Sequence, residues 1–470
     1  MMQSQDLVGA IRSLGCVLVS CLLSAGCSLV IGPFDECTAD GDCAVMGQGQ
    51  SCVNRVCQAI ELDPRCKRLG SKSDDTIVYG AILPLTTKTG AVHGWGPHWA
   101  AAVELAFEQL SPPTRSGVRG GRPLGLIMCD SAENSSEAKI LANQLVSRGV
   151  QAIISNGSGE TIAISSVTIP NGVLLLSGAS TSPEITTLSD ASPDRSVGMV
   201  WRTTPSDAFQ GQVLAAELSL REPKPKVAIL ARDDAYGQGL ALVFSQSYSE
   251  GERSTFLFPP GGDVSGALAE ANAYGAQVAL VLGFPDDVIA IVNGSATLSS
   301  LSGVEWLFTQ GGKSPKVLSE VTNPDRLQGA KGSSPATANK GQPAYEWLVP
   351  QFEQKYQVSV DSVVDLTNMF DAGMLLAIAT DQVLTTRGEI TGTYLAQALT
   401  LVSDPSGVKV PLAPPQFNVA TRELGEGRAI DVVGTSGDLN FDPVIGEAPA
   451  GVELWEIRDG GYHEIAVRQP

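Results

Sequence analysis

Short apolar runs alternate along most of this chain with stretches in which apolar residues recur every three or four positions. Thr76 to Leu83 reads as a strand, Trp99 to Leu110 as a helix with Val103, Ala106, Phe107 and Leu110 on one face, and Leu124 to Cys129 as a second strand. Ser136 to Arg148 repeats the helical period at Ala138, Leu141, Ala142, Leu145 and Val146, and strand Ala152 to Ser155 follows. Such units predict parallel sheets with helices on both faces and a ligand at the carboxyl ends of the strands. The alternation restarts after Arg202. Ser206 or Asp207 is placed to cap a helix running to Leu220, before strand Val227 to Ala231, the loop Asp233 to Gly237, another helix and strand Val278 to Gly283. Two α/β lobes are therefore expected.

Between Ser155 and Thr186 lie two strand exits rich in glycine and hydroxyl residues, separated by the buried-strand pattern Val173 to Leu176. In the first, Ser155-Asn156-Gly157-Ser158-Gly159, glycine permits a nest of free N–H groups, and a helix starting at Thr161 would favour an anion at its N-terminus. The second, Gly178-Ala179-Ser180-Thr181, offers further donors. Together they predict a socket for a carboxylate or another small polar group, although either loop alone also reads as an ordinary turn.

Composition narrows the function. The 470 residues are 43% hydrophobic and 17% charged, as in an ordinary globular protein, and acids outnumber bases 50 to 31 for a net charge of −19. That balance argues against nucleic acid, which is bound through clustered Lys and Arg. Three histidines, with His93 and His98 lacking a nearby acid in sequence, argue against a zinc enzyme. Gly237-Gln238-Gly239 lacks the third glycine of a dinucleotide fingerprint because Leu242 stands there, and no serine has the glycine flanks of a nucleophile elbow. No catalytic residue, metal or cofactor is expected, and the chain does not read as an enzyme.

The N-terminus reads as an export signal over residues 1–26: Arg12, then the apolar stretch Leu14 to Gly26, too short to span a bilayer. Leu23-Ser24-Ala25-Gly26-Cys27 resembles a bacterial lipoprotein signal, which implies a lipid on Cys27 and a chain held at a membrane outside the cytoplasm. A signal peptide without lipid is the duller reading. From residue 27 to 73 the composition turns polar around Cys37, Cys43, Cys52, Cys57 and Cys66, a segment too poor in large apolar residues to build a core and expected to be stapled by disulfides. Cys37, Cys43, Cys52 and Cys57 allow three pairings. Cys66 is then left over, and a bridge to Cys129 would leave no free thiol. The segment reads as a spacer or a small partner-binding knob.

Several motifs carry a resemblance. In order they are ILPLTTKTGAVHGWG, GRPLGLIMCDSAEN with Asp130 closing a strand, SGASTSPEIT, RTTPSDAFQG, DDAYGQGLA, NMFDAGMLLAIA, GDLNFDP and VELWEIRDGG. From Thr76 to its end the chain resembles the type I periplasmic solute-binding proteins of the leucine/isoleucine/valine-binding family, the receptors of branched-chain amino acid ABC importers. The resemblance implies two Rossmann-like lobes joined by three crossings, one formed by 74–204 with 332–432 and the other by 205–331 with 433–470, closing on a ligand. It also implies that Ser158, Ala179 and Thr181 hold a ligand carboxylate, the 21-residue interval from Ser158 to Ala179 being the one the family pattern requires. Trp95, Tyr236 and Phe284 fall at aromatic positions of the cleft. Gln310 stands where the leucine-binding relatives place an ammonium-pairing glutamate, and an amide lacks that charge. Either Asp207, Asp286 or Asp287 supplies it from nearby loops, or the ligand is an amide, an acid without an amine, or another compound again. The implied role is capture of an amino acid or amino-acid-like solute for an importer's permease and ATPase. The alternative is a sensor or scaffold lipoprotein of the same fold that regulates a partner protein.

Overall fold

Two parallel sheets carry the apolar runs read above. The computed structural model describes residues 37, 50–53, 55–59, 61–336 and 339–470; the signal segment, Cys27 and Cys43 lie outside them. The chain divides into two units, 1–60 and 61–470. In the first, β1 (Gln50–Val53) and β2 (Val56–Ala59) form an antiparallel hairpin. A disulfide joins Cys37 to Cys52, and Cys57 is disulfide-bonded as well.

The second unit contains both large sheets. The first is built from β3 (Cys66–Gly70), β4 (Ile77–Leu83), β5 (Leu124–Asp130), β6 (Ala152–Ser155), β7 (Leu174–Ser177) and β8 (Val200–Arg202), in the order β3-β5-β4-β6-β7-β8. Every residue of β4, β6, β7 and β8 is buried, as continuous apolar strands covered on both faces should be. Helices α1 (Gly96–Leu110) and α2 (Ser158–Thr168) flank this sheet, and α3 (Leu366–Thr386), buried from Leu366 to Val383, packs on α1 in the same core. The second sheet comprises β9 (Val227–Arg232), β10 (Arg253–Phe258), β11 (Val278–Leu282), β12 (Glu305–Phe308) and β13 (Lys331–Pro335). A small parallel pair, β14 (Val408–Pro411) and β15 (Ile430–Val433), precedes its last strands, β16 (Val452–Arg458) and β17 (Gly461–Arg468). Its order is β10-β9-β11-β12-β13-β16-β17. The chain passes between the large sheets three times: after β8, after β13 and before β16.

Boundaries differ from the expected ones in three places. The compact unit begins at Glu61 rather than at 74, because β3 is the antiparallel edge strand of the first sheet, with Cys66 opposite Cys129 in register and disulfide-bonded to it. The second lobe keeps β13 through Pro335, beyond the expected 331. Its Gly332 lies under the Trp455 ring, where an added Cβ would come within 2.2 Å of the indole. Near 433 the chain stays with the first lobe for longer, since Thr435 and Ser436 both donate to the Asp371 carboxylate on α3.

Cys66 and Cys129 close a loop of 63 residues and fix an edge strand with few apolar side chains of its own. The double variant C66A/C129A is expected to lose about 2–4 kcal/mol in guanidinium unfolding, with amide exchange at residues 66–70 rising first.

Candidate functional site

Strand ends of both sheets open into a single cavity of about 280 Å³, near the lower end of the roughly 300–1,000 Å³ usual for small-molecule sites. All seven sequence-named residues, Trp95, Ser158, Ala179, Thr181, Tyr236, Phe284 and Gln310, line it. The loop after β4 carries Trp95. Asp130 holds the root of that loop by accepting the N–H groups of Leu85 and Thr86 at 2.9 and 3.1 Å and the Thr86 hydroxyl at 2.7 Å. His93 Nδ1 then accepts the N–H of Gly96 at 2.9 Å, and burial pushes this imidazole down to about 4, so it stays neutral. Trp95 meets Trp99 at 5.7 Å and Phe284 at 5.9 Å between ring centres, and Phe284 stacks on Tyr236 at 5.3 Å. Three of the named residues thus form one aromatic wall drawn from both lobes.

The hydroxyl side is more fully engaged than its sequence suggests. Helix α2 begins at Ser158, not Thr161. Thr161 is buried, sharing hydrogen bonds of 2.8 Å with Ser155 and Ser180. The Ser158 hydroxyl accepts the Ser182 N–H at 3.2 Å, and the Thr181 hydroxyl donates to Asp207 at 2.7 Å. Gln310 Oε1 accepts from Gln210 Nε2 at 3.0 Å.

Arg232, Glu133, Glu160 and Asp365, which have no role assigned from the sequence, bring much of the charge to the cavity. Arg232, at the end of β9 and 3% exposed, donates to Glu133 of the first lobe at 2.6 Å and to Asp234 and Asp287 of its own lobe at 2.8 and 2.6 Å, while its guanidinium lies 4.2 Å from the Phe284 ring centre. Asp287 is thereby committed to Arg232, Asp286 is paired with exposed Lys316, and Asp207 is taken by Thr181. None of these three lines the cavity. Its carboxylates are instead Glu133, Glu160, Asp233, Asp234 and Asp365, facing two cations, Arg232 and exposed Lys88. Burial pushes the carboxyls of Glu160 and Asp365 up to about 7. Glu160 could have been suspected from its place in the first turn of a helix beside the hydroxyl loop. Asp365, in the left-handed region at φ 58° just before α3, carries no local signal of a site. Among the described residues no group of three or more His, Cys, Asp or Glu side chains is arranged to hold a metal ion, and no helix is long and apolar enough to cross a membrane.

Comparison with known proteins bears on the family and the fold. A family model described as periplasmic binding protein matches residues 80–422. A Leu/Ile/Val-binding protein homolog 3 of Brucella melitensis is 27% identical over 213 residues, which are 44% of this chain and 54% of that protein. The chain thus spans about half the length of this curated relative. Among solved structures, a leucine-binding protein of Thermotoga maritima superposes with a TM-score of 0.65 at 20% identity, covering 84% of this chain and 99% of the other. A solute-binding protein of an R. palustris ABC transporter, solved with benzoate, gives 0.60 at 16% identity, covering 84% and 97%. At these identities the structural likenesses establish the fold.

The buried carboxylates predict a pH dependence. The unfolded chain releases the Asp365 proton near its ordinary 3.8, whereas the folded protein keeps it to about 7. Folded stability conferred by this retention is complete below pH 4 and is lost as pH rises toward 7. Asn occupies the same left-handed backbone region readily and cannot ionise. Asp365→Asn is therefore expected to match the wild type near pH 4 and to melt higher at pH 8. At about 1.4 kcal/mol per tenfold change in proton affinity, the gain is on the order of a few kcal/mol; thermal melts across that pH range check it.

Proposed function

The chain belongs to the periplasmic binding protein family, and on that premise we propose that it captures a small polar solute, amino-acid-like in size, between its two lobes and presents it to an ABC importer. In this reading it works outside the cytoplasm, anchored through a lipid on Cys27. The convergence of Trp95, Ser158, Ala179, Thr181, Tyr236, Phe284 and Gln310 on one cavity, from loops of both lobes, is the observation that carries it. Trp95, Tyr236 and Phe284 would flank the apolar part of the solute. Ser158, the Ala179 backbone, Thr181 and Gln310 would meet its polar part. Nothing in this grip requires a reactive group, as suits a carrier that must release its solute unchanged.

Two measurements test the reading. A thermal-shift screen of the full chain against amino acids, amides, small acids and amines should yield a solute that raises the melting temperature, stabilisation reaching about 2.7 kcal/mol at a hundred times Kd. Trp95→Ala should weaken that solute at least about tenfold, or 1.4 kcal/mol. A folded protein that responds to nothing in a broad screen would count against the proposal. Separately, Glu133→Gln replaces the cross-lobe acceptor of Arg232 with a neutral one and should weaken binding about fivefold by favouring the open form. Calorimetry and the radius of gyration in solution check this together.

A further inference from the structure

One carboxylate occupies the position expected to receive a ligand's anionic group. Glu160 sits in the first turn of α2, where unpaired N–H groups and the helix dipole favour negative charge. Its carboxylate folds back over Gly157, which has φ +83°, and an added Cβ there would come within 2.3 Å of Glu160 Oε2. The side chain is 7% exposed, lines the cavity, and leaves Oε1 buried with no hydrogen-bond partner. The hydroxyls on either side are engaged as described, Ser158 accepting from Ser182 and Thr181 donating to Asp207. A solute carboxylate entering here would displace Glu160 or lie against it.

The remaining wall points the same way. Arg232 is balanced by three carboxylates, His93 is neutral, and Lys88 is exposed to solvent, whereas Glu160 and Asp365 lie at the cavity with no cation bonded to them. Trp95, Tyr236 and Phe284 line the same cavity; Phe284 already meets Arg232 and stacks on Tyr236, so together the rings offer an apolar wall for the body of a solute.

We infer that the solute of this cavity is an organic amine that carries no carboxylate, its ammonium group paired with Glu160 and its apolar body held against Trp95, Tyr236 and Phe284. The inference rests on the solute-binding reading above and narrows its ligand class. Glu160 here stands in for the carboxylate that an amino acid would bring.

Matched pairs that differ only in the carboxylate test it: 3-methylbutylamine against leucine, and 2-phenylethylamine against phenylalanine, titrated calorimetrically into the full chain at pH 7.5. At least one amine should bind 100-fold or more tightly than its amino acid. Glu160→Gln keeps the shape and removes the charge, and should weaken that amine tenfold or more. Glu160→Ala empties the slot and should bring the amino acid of the pair closer to the amine in affinity. Circular dichroism and melting confirm that both variants fold. An amino acid that binds the wild type as tightly as its amine overturns the inference, as does amine affinity unchanged in Glu160→Gln. If both amines fail while another solute binds in a Trp95-dependent manner, the amine assignment falls and the solute-binding reading stands. If no solute binds at all, that reading falls as well.

Discussion

One buried guanidinium, that of Arg232, is ion-paired to carboxylates of both lobes. Arg232 would be costly to bury alone, and its own lobe supplies two of its partners, Asp234 and Asp287; the third, Glu133, comes from the other lobe. If the lobes part, Arg232 keeps its two local carboxylates and Glu133 returns to water. At Glu133, closure exchanges the hydration of one carboxylate for one charge-assisted bond, beside the Trp95–Phe284 ring contact that also joins the lobes. Under the proposed solute-binding function, a solute with differential affinity for the closed form would shift the population toward it. The same arginine lies over Phe284, so the latch and the aromatic wall are assembled together.

What the sequence disclosed was whatever has a local signature. Buried strands appear as apolar runs and the two strand exits as glycine and hydroxyl clusters; within those loops Ser158, Ala179 and Thr181 were singled out by the family resemblance, and all three line one cavity. Contacts between distant segments leave no such mark. Glu133 and Arg232 stand 99 residues apart, and neither position is unusual among its neighbours. The edge strand Cys66–Gly70 has too few apolar residues to show a period, and belongs to the sheet through backbone pairing and a disulfide. Residues 404–428 contain β14 and a short helix at Phe417–Gly425, and none of them lines the cavity. Glu160 was missed for a different reason: an acid in the first turn of a helix is ordinary capping, and only the cavity in front of it makes it more than that.

Electrostatics and stability pull against each other at this cavity. Asp207, Glu160 and Asp365 are all buried with carboxyls raised to about 7, so in neutral solution the folded protein holds acids that an unfolded chain would ionise freely. Hydroxyls relieve part of this cost, Thr181 at one oxygen of Asp207 and Thr204 at Asp365, whereas Asp207 Oδ1 and Glu160 Oε1 have no hydrogen-bond partner, and of these two residues only Glu160 lines the cavity. A residue chosen only for stability would be a glutamine or an apolar side chain. An ionisable group kept in that position makes sense when the missing partner is the solute, whose positive charge would restore the carboxylate to its ionised form. Binding would then recover stability that the empty cavity gives up, and the coupling between solute and closed state would be strongest where Glu160 is most deeply buried, with the lobes shut.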